Sequence, residues 1–505
     1  MTAHRTVSRL IEVGEAARPA LRATEGRPSL SFAGLRGLAA RTVAALNGRG
    51  IGRNDRVAIV LPNGPEMAAV FVAVACGAAT APLNPAYRED EFAFYIEDLK
   101  AKALLVAKGV ETPARAAAAK LNVPILEVVP GTAAGDFTLE GGSSGVAATP
   151  GFAEEDDVAL VLHTSGTTAR PKIVPLTHAN VTASARHIGA CLSLTPEDAC
   201  LNVMPLFHIH GLMAAVLSSL GAGASVICTP GFDALRFFRW MDEEKPTWFT
   251  AVPTMHQAIL SRAERNKETI RRVPLRFIRS SSSSMPGPVM EQIEAAFGCP
   301  LVESYGMTEA SHQMCSNPLA GPRKPGKVGR AAGPEVAIMD DGGRLLPQGE
   351  IGEVVIRGPS VTKGYEANPE ANAKAFTNGW FRTGDQGTFD EDGFLMLTGR
   401  LKELINRGGE KVSPLEVDGV LSGHPAVAQV LCFAIPHPKL GEDVGAAVVL
   451  CEGAACTERE LRDFAAKTLA DFKVPRKVVF VAEIPKGATG KLMRIGLAEK
   501  LGITA

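Results

Sequence analysis

The stretch LVLHTSGTTARPKIVPLTH, residues 160–178, sets four hydroxyl residues, one Gly, one Arg and one Lys between two runs of β-branched and aliphatic residues. A strand leads into this loop, and the end of a strand in an α/β sheet is where ligands usually sit. Hydroxyls and backbone N–H groups donate to phosphate oxygens, Gly allows close backbone approach, and Lys adds positive charge. Thr164, Ser165, Gly166, Thr167, Thr168 and Lys172 are therefore expected to form a phosphate cradle. A Ser/Thr turn with one solvated Lys has the same composition, so the loop alone leaves both readings open. It is not a Walker A loop: the nearest match to that pattern, GPRKPGKV at 321–328, ends in Val and contains two prolines.

Outward from the loop, short apolar runs alternate with helix-like stretches. VALVLH precedes HANVTASARHIGACL, LNVMPLFH precedes GLMAAVLSSLGAG, and SVICTP precedes FDALRFFRWMDEEK; WFTAVP, TMHQAILSR, LRFIRS, PGPVMEQIEAAFG and PLVESYG continue the series. This alternation predicts an α/β fold whose mostly parallel sheet is covered on both faces. RVAIVLPNG and EMAAVFVAVACGA repeat the unit upstream. Residues 130–151, rich in Gly, Ala, Ser and Thr, read as an exposed connection. Beyond about residue 335, strands punctuated by Gly and Asp predict a smaller β-rich subdomain, and the last hundred residues carry their own α/β pattern. The boundary is placed near Lys402, giving a large N-terminal domain of 1–401 and a small C-terminal domain of 402–505.

Composition excludes several function classes. With 505 residues and 46% hydrophobic content the chain can bury large cores. Lys plus Arg number 53 against 54 for Asp plus Glu, which gives no electrostatic case for nucleic acid or an anionic membrane surface. Small molecules are the expected partners. The first twenty residues carry Glu12 and Glu15 where a secretion signal needs an unbroken apolar core, so a helix packed on the surface is expected there. MAAVFVAVACGAATAPL, 67–83, is broken by Gly77 and Pro82 and reads as a buried helix and strand, not a membrane span. Nine Cys without CxxC spacing read as reduced core residues of a cytoplasmic protein. The C-terminal GITA lacks an SKL-type peroxisomal signal.

TSGTTARPK (164–172), YGMTE (305–309), TGD (383–385), GRLKELI (399–405), NRGGEKVSPLEVD (406–418) and ATGKLMR (488–494) follow one another in that order. Together they resemble the adenylate-forming superfamily of acyl-CoA synthetases, luciferases and peptide-synthetase adenylation domains, over nearly the whole chain. The resemblance implies a two-step reaction using ATP, Mg2+ and coenzyme A. A carboxylate attacks the α-phosphorus of ATP and releases pyrophosphate; a thiol then attacks the mixed anhydride and releases AMP. It implies that the 164–172 loop holds the β- and γ-phosphates, Thr308 a phosphate oxygen and Glu309 the Mg2+. Ser282, Ser283, Ser284 and the run Glu303, Ser304, Tyr305, Gly306, Met307 and Thr308 would border the nucleotide. Asp385 would accept from the ribose hydroxyls, with Arg400 beside it. Lys491 would bridge the α-phosphate and the attacking carboxylate. Because Lys491 belongs to the small domain, that domain would be mobile, turning at Lys402, with Gly408 and Gly409 letting pantetheine pass close to the backbone. Ala169 and Ile173 stand where the superfamily usually has Gly, which implies a stiffer cradle that keeps its hydroxyls and Lys172.

The acid would lie among FHIHG (207–211), RSSSSSM (279–285) and SYGMTEASH (304–312). Hydroxyls and imidazoles suit a short polar or anionic acid, whereas a fatty-acid pocket is apolar. His312, Ser283 and Ser284 are the expected acyl contacts, His208 matches a gate-like histidine, and His210 reads as a packed core imidazole. AVPTMHQAIL, RSSSSSM, YGMTEASH and NRGGEKVSPLEVD are similar to the oxalate–CoA ligases of the superfamily, and Ser304 stands where malonate-activating members usually have Arg. The implied activity is ATP-dependent ligation of oxalate to CoA, by a monomer or homodimer. The alternatives are ligation of another short acid such as malonate, or adenylation for a separate carrier protein.

Overall fold

The computed structural model describes residues 5–24, 26–164, 171–485 and 492–503. Two large sheets dominate. One has seven strands in the spatial order Phe137–Gly141, Ile125–Pro130, Ala103–Ala107, Arg56–Val60, Ala79–Pro82, Val158–Thr164 and Lys172–Thr177. Its inner pairs are parallel and its outermost pairs antiparallel. The other has nine strands: Arg330–Ala331, His312–Ser316, Leu301–Met307, Phe277–Ser280, Trp248–Ala251, Ala199–Asn202, Ser225–Cys228, Pro19–Ala23 and Leu30–Ser31. It is parallel from Leu301–Met307 through Pro19–Ala23.

The largest core joins these sheets through the helices Phe32–Asn47, Pro65–Ala75 and His178–Cys191. Pro65–Ala75 is buried along its length, which explains its unbroken apolar sequence. The outer faces are covered as well. Glu89–Asp98 and Pro113–Lys120 pack on the seven-stranded sheet, and Phe237–Glu244, Pro253–Ala263 and Gly287–Phe297 on the nine-stranded one. Burial on both faces is why these strands read as continuous apolar runs. His178–Cys191 starts cleanly because Thr177 and Asn180 form a reciprocal cap, each side chain accepting from the other's backbone N–H.

A six-stranded, mainly antiparallel sheet is built from residues between Glu335 and Arg400, matching the expected β-rich subdomain. Its last strand, Leu395–Arg400, is followed within a few residues by Ile405–Arg407, which belongs to a separate five-stranded sheet. That small sheet has its own cores around Val417, Cys432 and Val448, and around Phe433 and Ile484.

Three local expectations change. The amino-terminal helix covers only Val7–Leu10; Pro19–Ala23 instead pairs with Ser225–Cys228 as a strand. Residues 130–151 are not simply an exposed connection, since Phe137–Gly141 pairs along Ile125–Pro130. Buried Phe137 anchors this edge, and the Arg49 guanidinium donates to the carbonyls of Leu139 and Gly141 at 3.1 and 2.8 Å. The helix expected from GLMAAVLSSLGAG begins as a π-helix, His210–Leu217, before continuing as Ser218–Gly221. Such wide turns gather at functional sites.

Candidate active site

Segments from both large sheets converge at the carboxyl ends of their parallel strands. Val158–Thr164 and Lys172–Thr177 pair so that Thr164 lies opposite Lys172 where the two strands meet their connecting loop. Ser165, Gly166, Thr167, Thr168 and Ala169 lie outside the described residues. Ile173 is a buried, extended strand residue opposite His163, with no positive φ, so a side chain is accommodated there.

The segment 359–366 is fastened across this hairpin. Asn180 donates to the carbonyls of Pro359 and Val361, Thr362 donates through its hydroxyl to Pro175 O, and Glu366 N–H donates to Ile173 O. Thr362 N–H also donates to Glu309 O at 2.7 Å. These bonds deliver Tyr365 between two charged groups. Its hydroxyl donates to Glu309 Oε1 at 2.8 Å, and Lys172 Nζ lies 4.3 Å from its ring centre. Burial raises the Glu309 carboxyl, opposed by Tyr365, Lys172 and Arg400. Burial lowers the Lys172 ammonium; Glu309 opposes this and Lys402 reinforces it.

Glu309 is the residue suited to a metal. Among the described residues, no group of three or more His, Cys, Asp or Glu could hold an ion unaided. A single carboxylate fits Mg2+, which keeps waters and is held partly by the phosphates it accompanies.

A second constellation joins Leu301–Met307 to the antiparallel subdomain. Tyr305 donates its hydroxyl to Asp385 Oδ2, and Arg400 Nε lies 3.0 Å from Asp385 Oδ1. Strand pairing sets Asp385 opposite Arg400. Asp385 is therefore aimed by a hydroxyl and paired with a charge.

The third constellation surrounds His210 and His312. His210, at the start of the π-helix, stacks on His312 with ring centres 5.0 Å apart. His210 Nδ1 is 3.0 Å from Ser282 Oγ, and its Nε2 is 2.6 Å from Thr250 Oγ1. His210 is thus a buried imidazole, as expected, but one that reaches the serine loop. His208 is partly exposed beside Phe207. Ser283 and Ser284 are exposed, while Ser281 is buried and donates to Ser304 O at 2.9 Å. Ser304 is also buried and directs its hydroxyl at Ser280 O. Gly306 admits no side chain, because an added Cβ would sit 1.5 Å from His312 O across the strand pair.

Glu303 differs from the expected nucleotide contact. Its side chain is buried behind the serine loop, where Oε1 accepts from Met285 N–H at 2.8 Å and Oε2 has no hydrogen-bond partner. Burial pushes this carboxyl up to about 8. Met307 and Thr308 are partly exposed along the same strand end.

Gly408 and Gly409 form the turn between Ile405–Arg407 and Glu410–Val412, both at positive φ. They lie in the small sheet, with Gly408 N–H donating to Leu440 O. Lys491 lies outside the described residues. The following segment is held by Arg494, which pairs with Asp418 at 2.6 Å and Glu403 at 3.3 Å. The motif reading missed Tyr365 and Thr250, and it included Arg279 only as the first residue of RSSSSSM, without a role. Tyr365 falls in KGYEANPEANAKAF, a segment that carries no glycine-rich or hydroxyl-rich signature.

Residues 13–366 match the AMP-binding enzyme family, and residues 416–491 match the AMP-binding enzyme C-terminal domain. The chain is 47% identical over 478 residues to an oxalate–CoA ligase of Arabidopsis thaliana, covering 93% of each chain. It is 43% identical over 477 residues to an oxalate–CoA ligase of Saccharomyces cerevisiae, covering 88% of this chain and 87% of that one. ATP-bound MatB from Rhodopseudomonas palustris superposes with a TM-score of 0.88 at 31% identity, covering 99% of both chains. With both family regions in order and such relatives along nearly its whole length, the chain belongs to the AMP-binding enzyme family.

Proposed function

We propose that the protein is an ATP-dependent oxalate–CoA ligase, converting oxalate, ATP and CoA into oxalyl-CoA, AMP and diphosphate through an acyl-adenylate. The observation that carries this reading is the polar cluster on the side assigned to the acid: stacked His210 and His312 with Ser282. A short anion finds donors there, whereas an alkyl chain would leave them unpaired. Ser304 turns into the sheet where malonate-activating members carry Arg, and the names of both oxalate–CoA ligase relatives point the same way.

In the first half-reaction, Lys172 and the loop hydroxyls of Thr164, Ser165, Thr167 and Thr168 hold the polyphosphate, while Thr308 meets a phosphate oxygen. Glu309 would hold Mg2+, which neutralises phosphate charge when bound. Tyr365 keeps the Glu309 carboxylate aimed. Asp385, steadied by Tyr305 and Arg400, receives the ribose hydroxyls. The reaction is chiefly one of positioning and charge stabilisation. Lys491 supplies positive charge at the α-phosphate.

Residues 1–401 and 402–505 act as two domains, with the smaller turning at Lys402 to admit the thiol past Gly408 and Gly409. The change of sheet between Arg400 and Ile405 supports a turn at that place. No helix among the described residues is long and apolar enough to cross a membrane. The nine cysteines, all unpaired, support a cytoplasmic setting, and the reading takes the enzyme as a monomer or homodimer.

Pyrophosphate release tests the assignment, using oxalate, malonate, acetate and a medium-chain fatty acid, each with CoA or a pantetheinylated carrier protein. Oxalate with CoA should be fastest. A preference for the fatty acid would overturn the substrate, and turnover with the carrier alone would overturn the acceptor.

A further inference from the structure

Arg279 lies on Phe277–Ser280, opposite Thr250, and is fully buried. Its Nη1 is 3.4 Å from both His210 Nε2 and Thr250 Oγ1. Its Nη2 is 3.1 Å from His312 Nε2 and 3.3 Å from Gln313 Oε1. Its Nε–H has no partner. All these neighbours are uncharged when the imidazoles are neutral, and among the described residues no Asp or Glu pairs with the guanidinium or supports its charge. A buried cation without an anion is costly, and a protein keeps one most readily where an anion arrives.

The geometry also sets the protons. A guanidinium only donates, so Nε2 of His312 accepts from it and the proton of that ring resides on Nδ1. Thr250 accepts from Arg279 and donates to His210 Nε2, which leaves His210 Nδ1–H to donate to Ser282 Oγ. The Ser282 hydroxyl then has its own hydrogen to offer. Ser282 is held at φ +74 and His312 at φ +97, both uncommon for side-chain-bearing residues. Burial holds the His210 imidazole well below its usual range, and protonating it would place another positive charge against Arg279 and beside His312, His256 and His208.

We propose that Arg279 is a specificity and positioning residue: a fixed buried cation that holds His210 and His312 as neutral Nδ1–H tautomers, turns Ser282 into a donor, and provides the countercharge for the second carboxylate of a dianionic acid. This rests on the oxalate reading above.

Oxamate provides the matching probe, because it replaces that second carboxylate with a neutral amide of nearly the same shape. Wild type, Arg279→Met and Arg279→Lys are compared for kcat/KM with oxalate, Ki of oxamate as a competitor, KM for ATP and thermal midpoint. In Arg279→Met, kcat/KM for oxalate should fall about 100-fold while oxamate Ki changes less than about threefold and ATP KM is unchanged. Arg279→Lys should recover about tenfold of the loss, since the charge returns without the fork. Equal losses for oxalate and oxamate, or no rescue by Lys, would overturn the role of Arg279 while leaving the oxalate reading intact. A wild type that does not turn over oxalate would overturn both.

Discussion

The two sides of the site that we assign to the nucleotide and to the acid are built on opposite electrostatic plans. Around the nucleotide, charges come matched: Arg400 pairs with Asp385, and Lys172 and Glu309 temper each other across Tyr365. Around the acid, Arg279 faces imidazoles, a hydroxyl and an amide, with burial lowering its guanidinium to about 10. A matched site suits a ligand that brings its own counterion, as ATP brings Mg2+. An unmatched one suits a bare anion. Substitutions on the nucleotide side should therefore affect every acid alike, while those on the acyl side should discriminate between acids.

The largest effect is expected at Lys491, which this reading places at the α-phosphate. Lys491→Ala should slow acyl-adenylate formation about 100- to 1,000-fold with every acid tested. Thioester formation from preformed acyl-adenylate should be nearly normal in single-turnover assays; equal loss in both halves would move the lysine out of the first step. Glu309→Gln should come next. Its Mg2+ titration should shift to higher concentration by about tenfold or more, again for all acids, because the ligand charge is gone. An unchanged Mg2+ dependence would take Glu309 out of the metal site.

On the acyl side, His312→Ala should lower kcat/KM for oxalate about 10- to 100-fold and that for acetate much less. Parallel losses on the two acids would erase the distinction between the two sides. The smallest effect concerns stability rather than rate. Glu303 has its folded pKa raised from the carboxylate range to about 8, so the folded state holds its proton more tightly. Its contribution is fully present below about pH 4.5 and is lost as pH rises through about 8. Wild type should therefore lose a few degrees of thermal midpoint between about pH 6 and 9 relative to its own acid value. Glu303→Gln, which can still accept from Met285 N–H, should flatten that slope, and a slope identical to wild type would show that Glu303 does not carry it.

The two sides also differed in how far the chain could be read beforehand. The nucleotide side rests on contiguous segments, TSGTTARPK, YGMTE and TGD, in which neighbouring residues serve one ligand. The acyl cluster draws Thr250, Arg279 and His312 from three separate strands and His210 from a helix start, so FHIHG, RSSSSSM and SYGMTEASH named the neighbourhood but not which side chains meet in it. His210 illustrates the point: it was expected as a packed core imidazole and is buried, yet only the neighbouring strand ends reveal the bond to Ser282. Phe137–Gly141 was hidden for a similar reason, since an edge strand held by one aromatic ring and an arginine from another element has little periodicity of its own.

What the sequence determined alone was the α/β alternation, the order of the motifs and the residue types available to phosphate, ribose and metal. These depend on short-range chemistry: periodicity of apolar burial, hydroxyls beside a glycine, a carboxylate after a strand. The tertiary structure alone decided that Tyr365 stands between Lys172 and Glu309, and that Arg279 is buried without an acidic partner. Both are facts about groups far apart in the chain, and a charge acquires its meaning only from what surrounds it at a few ångströms. In water Arg279 would be one more solvated cation; enclosed among neutral imidazoles, it makes the site wait for an anion.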